Sequence, residues 1–127
     1  MRRPLVLLLV GLTATLTNAT RVGALGCYPP PVDAPVARPF DAPVCDYCPG
    51  HRGLDFATRP GQPVVAVAAG VASFVGLVAR VRYVVIAQDD GRRATYGQLA
   101  TSSVTQGSRV AAGARVGTAT DLSLIHI

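Results

Sequence analysis

The chain has 127 residues, room for one domain with a modest core. All 12 basic residues are arginine and all 7 acidic residues are aspartate, for a formal charge of +5. Arg2, Arg3 and Arg21 lie in a segment that reads as removable, leaving nine arginines against seven aspartates; with no basic run longer than Arg92-Arg93 and no aromatic interleaving, the chain carries no nucleic-acid signature.

Arg2-Arg3 form a positive leader, residues 5–16 an apolar run, and Thr17-Asn18-Ala19 and Val22-Gly23-Ala24 each offer a small-x-Ala cleavage pattern. A run of about 12 residues is short for a helix crossing about 30 Å of hydrocarbon. Residues 1–24 are therefore expected to be a signal peptide, with no stable membrane span left after cleavage. Export makes Cys27, Cys45 and Cys48 disulfide candidates rather than thiolate ligands. Cys45 and Cys48 have C-x-x-C spacing, but a zinc ribbon needs a second pair and a redox motif needs a βαβ context. Either a local staple or one bridge to Cys27 fits the spacing.

Residues 25–49 form a proline-rich lead-in, in which fixed φ angles and missing donors favour extended backbone over helix. Within it, residues 36–40 suit a short edge strand. From Leu54 onward the texture is β. Arg59-Pro60-Gly61-Gln62-Pro63 is a turn, residues 64–69 an apolar run, Gly70 a break, and residues 71–78 a second run. Residues 61–79 carry no charge, close to a transmembrane length. Pro63, Gly70 and Gly76 interrupt them, so two buried strands around a glycine turn are expected instead. Residues 83–87 and 93–99 flank Asp90-Gly91, a tight-hairpin signal. Val104, Gly107, Val110, Gly113, Val116 and Gly117 punctuate very short strands.

The chemistry concentrates in Pro49-Gly50-His51-Arg52-Gly53-Leu54-Asp55. A histidine and a carboxylate four apart beside glycines supply two ligands of a zinc site. In a straight strand they stand about 13 Å apart at about 3.3 Å per residue, so a shared metal requires the backbone to fold back at His51. The competing reading is a local His51–Asp55 hydrogen bond without metal. Residues 122–127, Leu-Ser-Leu-Ile-His-Ile, break the Ala/Gly/Val/Arg texture and match the translation of a sequencing-library adapter. They are expected to be foreign, with the native chain running on from about Asp121.

Taken with Ala68-Ala69-Gly70-Val71, Thr95-Tyr96 and Val110-x-x-Gly113-x-x-x-Gly117, the His51-x-x-x-Asp55 element resembles the LytM/lysostaphin-like zinc metallopeptidases, from about residue 36 to 119. The resemblance implies an all-β, compact antiparallel sheet of barrel-sandwich type over residues 50–121, incomplete as written. It also implies Zn2+ bound by His51 and Asp55, and hydrolysis of peptide bonds in bacterial peptidoglycan stem peptides or cross-bridges by a secreted or cell-envelope protein. Two positions depart from the family. Its late His-x-His motif, source of the third ligand, is absent, and His126 comes too early to replace it. Gln98 stands where the family usually has a histidine that stabilises the transition state. Gln98 therefore also supports a non-catalytic relative that binds peptidoglycan or regulates a hydrolase. A carrier or phosphocarrier domain, with similar short strands, is disfavoured by the absence of lysine and by the leader.

Overall fold

The computed structural model describes residues 27–126, with side chains described to residue 121; the expected signal segment lies outside these residues. The described chain consists of strands β1 (Val36–Arg38), β2 (Leu54–Phe56), β3 (Pro63–Val65), β4 (Gly70–Val78), β5 (Val81–Gln88), β6 (Arg93–Ser102), β7 (Arg109–Val110) and β8 (Arg115–His126). All pairings are antiparallel, in the order β1-β2-β8-β6-β5-β4-β7, with β3 on the other part of β8. The all-β antiparallel expectation holds. Among the described residues no helix is long and apolar enough to cross a membrane.

Alternation of side chains across the pleat builds the core. Val84 and Ile86 on β5 and Ala94 and Tyr96 on β6 are fully buried, every second residue. They share one core cluster with Val64 of β3, Ala66 and Val67 just beyond it, Val110 of β7 and Val116 of β8. Tyr96 ties the two layers: its hydroxyl accepts the Val67 N–H at 2.9 Å. That bond also explains why β3 stops at Val65, short of the expected run to residue 69. Beyond it, Ala66 still donates to Ala114 O at 2.8 Å, but the next amide is taken by a side chain.

Gly70 does not break the chain between two paired strands. It opens β4, and β3 and β4 pair with different partners. A Cβ at Gly70 would sit 2.2 Å from Ala87 O, so close approach of the β5 backbone requires glycine there. Nor is the second run buried throughout, since Leu77 and Val78 are exposed at its end. The turn that follows was not signalled: Ala79 (φ 48°) and Arg80 (φ 68°) form a two-residue connection between Val78 and Val81, the positive-φ hairpin that usually takes Asn or Gly. Asp90-Gly91 does turn as expected, with Gly91 at φ 86° and Gln88 N–H donating to Arg92 O at 2.8 Å.

The proline-rich lead-in is extended and integrated with the sheet. β1 is the edge strand beside β2, Val32 is buried in the core, and Val65 N–H donates to Pro31 O at 2.8 Å. Its first residues are held by a surface cluster. The Tyr28 hydroxyl donates to Asp90 Oδ2, and Arg92 Nη1 donates to Tyr28 Oη at 3.1 Å with its guanidinium 5.8 Å from the ring centre. The Tyr28 hydrogen bond, then the Arg92 backbone N–H, hold the Asp90 carboxyl below its ordinary 3.8. A depressed folded value means the contribution is present above 3.8 and lost as pH falls through the folded value. We expect Tyr28→Phe to speed exchange of the Val65 amide near neutral pH, with the gap from wild type closing as acid protonates Asp90. Equal exchange rates near neutrality would remove this anchor from the account.

Candidate metal centre

β1 and β2 are joined by a connection far longer than a hairpin turn, and the site is built in it. Asp41 and His51 form an isolated bridge inside this loop: Asp41 N–H donates to His51 O at 2.8 Å and His51 N–H to Asp41 O at 2.7 Å. Gly50 permits it, since a Cβ there would lie 2.8 Å from both Asp41 O and Pro43 N. The chain thus folds back at His51, as a shared ligand role requires, and His51 Nε2 meets Asp55 Oδ1 at 3.1 Å.

The orientation of the ring is set from behind. His51 Nδ1–H donates to Pro39 O at 2.8 Å, and a carbonyl can only accept, so the proton sits on Nδ1. Nε2 is then the nitrogen available to a metal, the arrangement in which an outer carbonyl fixes a ligating imidazole. The Asp55 carboxylate faces that nitrogen, so a cation seated between them would be held by both. Ligand atoms of a tetrahedral zinc, at about 2.0–2.2 Å each, stand ~3.3 Å apart. The observed 3.1 Å suits two of its positions with little movement. Side chains of His51 and Asp55 are only 8% and 13% exposed, which protects such a contact from water. Among the described residues no group of three or more His, Cys, Asp or Glu converges.

Asp55 alternates with the buried Phe56 and so lies on the face away from the core. In backbone register it stands opposite Leu124 on β8, which stands opposite Gly97 on β6. Among the described residues, β2 pairs with the main sheet through Ser123, Leu124 and Ile125, within the segment expected to be foreign. Thr95, two residues from Gly97, shares this outer face with Val85 and Phe74 on the next strands. With Val78 and Tyr83 they line a shallow, uncharged pocket of about 340 Å³.

Gln98 follows Gly97 at an irregularity in the β6–β8 pairing and has φ 56°, unusual for a residue with a side chain. Bulges of this kind re-aim a side chain and recur beside active sites. Its carbonyl accepts the Thr120 hydroxyl at 2.8 Å. Gln98 lines a pocket of about 170 Å³ with Arg80, Val81, Arg82, Leu99 and Thr120, and neither His51 nor Asp55 is among these residues. The structure thus brings His51 and Asp55 into contact, and sets Gln98 one residue past the row holding Asp55.

Of the cysteine alternatives, Cys45 and Cys48 are disulfide-bonded and Cys27 is an exposed free thiol. The backbone of His126 pairs with Thr95; its side chain lies outside the described set. Sequence reasoning missed Pro39 and Asp41, which act through backbone atoms that leave no mark on residue type.

Residues 49–123 match the family model for peptidase family M23. The chain belongs to that family. It is 46% identical over 68 residues to an uncharacterized protein of Mycobacterium tuberculosis, covering 54% of this chain and 26% of that protein. It therefore spans about a quarter of the length of the curated relatives it matches. A zinc containing peptidase from Vibrio cholerae superposes with a TM-score of 0.64 at 26% identity, over 76% of this chain and 34% of that one. The catalytic domain of the antimicrobial peptidase lysostaphin from Staphylococcus simulans shares the fold, with a TM-score of 0.61 at 22% identity, over 73% and 77% of the two chains. The LytM/lysostaphin-like resemblance is thereby established for this M23 chain.

Proposed function

We propose that this M23 chain is part of an exported zinc endopeptidase that hydrolyses peptide bonds of bacterial peptidoglycan. The observation that carries the reading is the convergence of His51 Nε2 and Asp55 Oδ1, with His51 held in the metal-binding tautomer by Pro39 O. Zinc, when bound, supplies Lewis-acid polarisation of the scissile carbonyl and activates a water for attack. His51 and Asp55 would hold it, and the ordered ring would spare reorganisation on binding. The uncharged face running from Thr95 to Phe74 lies on the same side of the sheet as Asp55 and is the surface assigned to the extended substrate peptide. Gln98, at the position of the family's transition-state histidine, is assigned the role of amide donor to the developing oxyanion, which requires its side chain to turn toward the pair from the pocket it lines with Arg80 and Thr120; it cannot carry charge or move a proton.

The test is incubation of the full-length, zinc-loaded protein with purified peptidoglycan. Soluble fragments bearing new amino termini, lost on chelation, are expected. Sedimentation with the wall but no new termini would instead favour the non-catalytic, peptidoglycan-binding relative, the reading that Gln98 supports. A second measurement addresses Gln98 itself. A residue in the left-handed region costs about 1–2 kcal/mol without compensation. Gln98→Gly is thus expected to leave stability unchanged or raise it by up to ~1 kcal/mol. Hydrolysis should fall about 10²-fold, the low end for a lost oxyanion donor. Stability and activity moving apart is the signature of strain kept for function; unaltered hydrolysis would remove Gln98 from the machinery.

A further inference from the structure

We propose that the Cys45–Cys48 disulfide positions His51 by holding the 42–50 loop shut across the Asp41–His51 bridge; its consequence for metal rests on the reading above. Three of the contacts that fix His51 reach across the loop to residues 39–41: Nδ1–H to Pro39 O at 2.8 Å and the two bridge bonds at 2.7 and 2.8 Å. Whatever keeps the loop closed therefore keeps the imidazole aimed.

Apolar burial does not close it. Phe40, Val44 and Tyr47 are 59%, 94% and 100% exposed, so the loop's large side chains bring no core contact. Its tip is tied instead by the disulfide, by Cys48 N–H donating to Cys45 O at 3.2 Å, and by Arg52, whose Nη2 donates to Asp46 O at 2.6 Å. Arg52 is the residue after His51, so the stapled turn is tethered directly beside the ligand. With the disulfide intact, the Cys45 and Asp46 carbonyls are presented as one rigid turn to that guanidinium. Without it the turn has one weak backbone bond, Arg52 loses a fixed partner, and more of the resistance to opening falls on the contacts between His51 and residues 39–41. Connections this long without their own secondary structure are uncommon unless they serve a site.

The test compares the full-length protein, carrying Cys27→Ser to prevent exchange with the exposed thiol, with the same protein carrying Cys45→Ser and Cys48→Ser. In the metal-free state, amide exchange at His51 should quicken by about tenfold or more while Val84 in β5 is unmoved. Zinc affinity, read by chelator competition, should weaken by about 10–100-fold, the range for lost outer-shell support. Tyr47→Ala should change neither. Reducing the disulfide in the otherwise intact protein repeats the exchange measurement without a substitution, should the serine variant not fold. Equal His51 exchange in both proteins overturns the proposal. Faster exchange with unchanged zinc affinity overturns the claim that the staple aims a metal ligand. If the parent retains no zinc at all, the metal reading fails by itself, and the exchange arm still decides whether the disulfide holds His51.

Discussion

Replacing His51 or Asp55 by alanine is expected to strip zinc from the full-length protein and bring peptidoglycan hydrolysis to the chelated baseline. The loss should exceed the ~10–100-fold that removal of an outer-shell partner costs, because each substitution removes a donor atom outright. Alanine alone does not separate a ligand from a structural hydrogen bond. The two side chains are largely buried, so deleting one removes a buried polar contact from the other, at about 1–3 kcal/mol. Asp55→Asn makes the separation. Its amide N–H can donate to His51 Nε2 and preserve the local contact, while the carboxylate charge that a divalent ion needs is gone. If the pair is a metal site, Asp55→Asn keeps the fold and loses zinc and hydrolysis together. If it is only a local contact, Asp55→Asn behaves as wild type in both. Zinc content by mass analysis and release of wall fragments decide between them.

Much of the fold could be read from the residues because alternation and turn chemistry agreed. The Asp90-Gly91 hairpin supplied the positive φ its turn requires. It failed where tertiary structure overrode local preference. Ala79 and Arg80 carry no turn signal, yet pairing of β4 with β5 forces both into positive φ. Gly70 looked like a stop because glycine often is one; here it admits the Ala87 carbonyl.

For the site, the histidine and aspartate were legible as a pair, and the need for a bend followed from strand geometry. What bends the chain was not. Pro39 and Asp41 contribute only backbone groups, which any residue carries, and the choice of Cys48 over Cys27 as the partner of Cys45 depends on three-dimensional proximity. Side-chain chemistry announces itself in a sequence; backbone chemistry is visible only after folding.

Tyr96 is where fold and site meet, and its replacement should give the largest stability change. It is fully buried, and its row across the sheet runs through Ile125 to Leu54, adjacent to the row of Gly97, Leu124 and Asp55. Tyr96→Ala is expected to cost about 3–5 kcal/mol, the range for emptying an aromatic from a core. Tyr96→Phe is the sharper probe. It keeps the ring and leaves the buried Val67 N–H without its acceptor, at about 1–3 kcal/mol. Burial pushes the Tyr96 phenol above its ordinary 10.0, with the Val67 hydrogen bond pulling the other way. A raised folded value means the contribution is fully present below pH 10 and lost as pH rises through the folded value. The Tyr96→Phe cost, read from denaturant midpoints, should therefore be flat from pH 5 to 9. A cost within about 0.5 kcal/mol of zero, the range of an ordinary surface change, would show that the two layers do not depend on this bond. Below its lowered melting temperature the Phe variant should still bind zinc, since the hydroxyl faces the core while Asp55 lies on the opposite face.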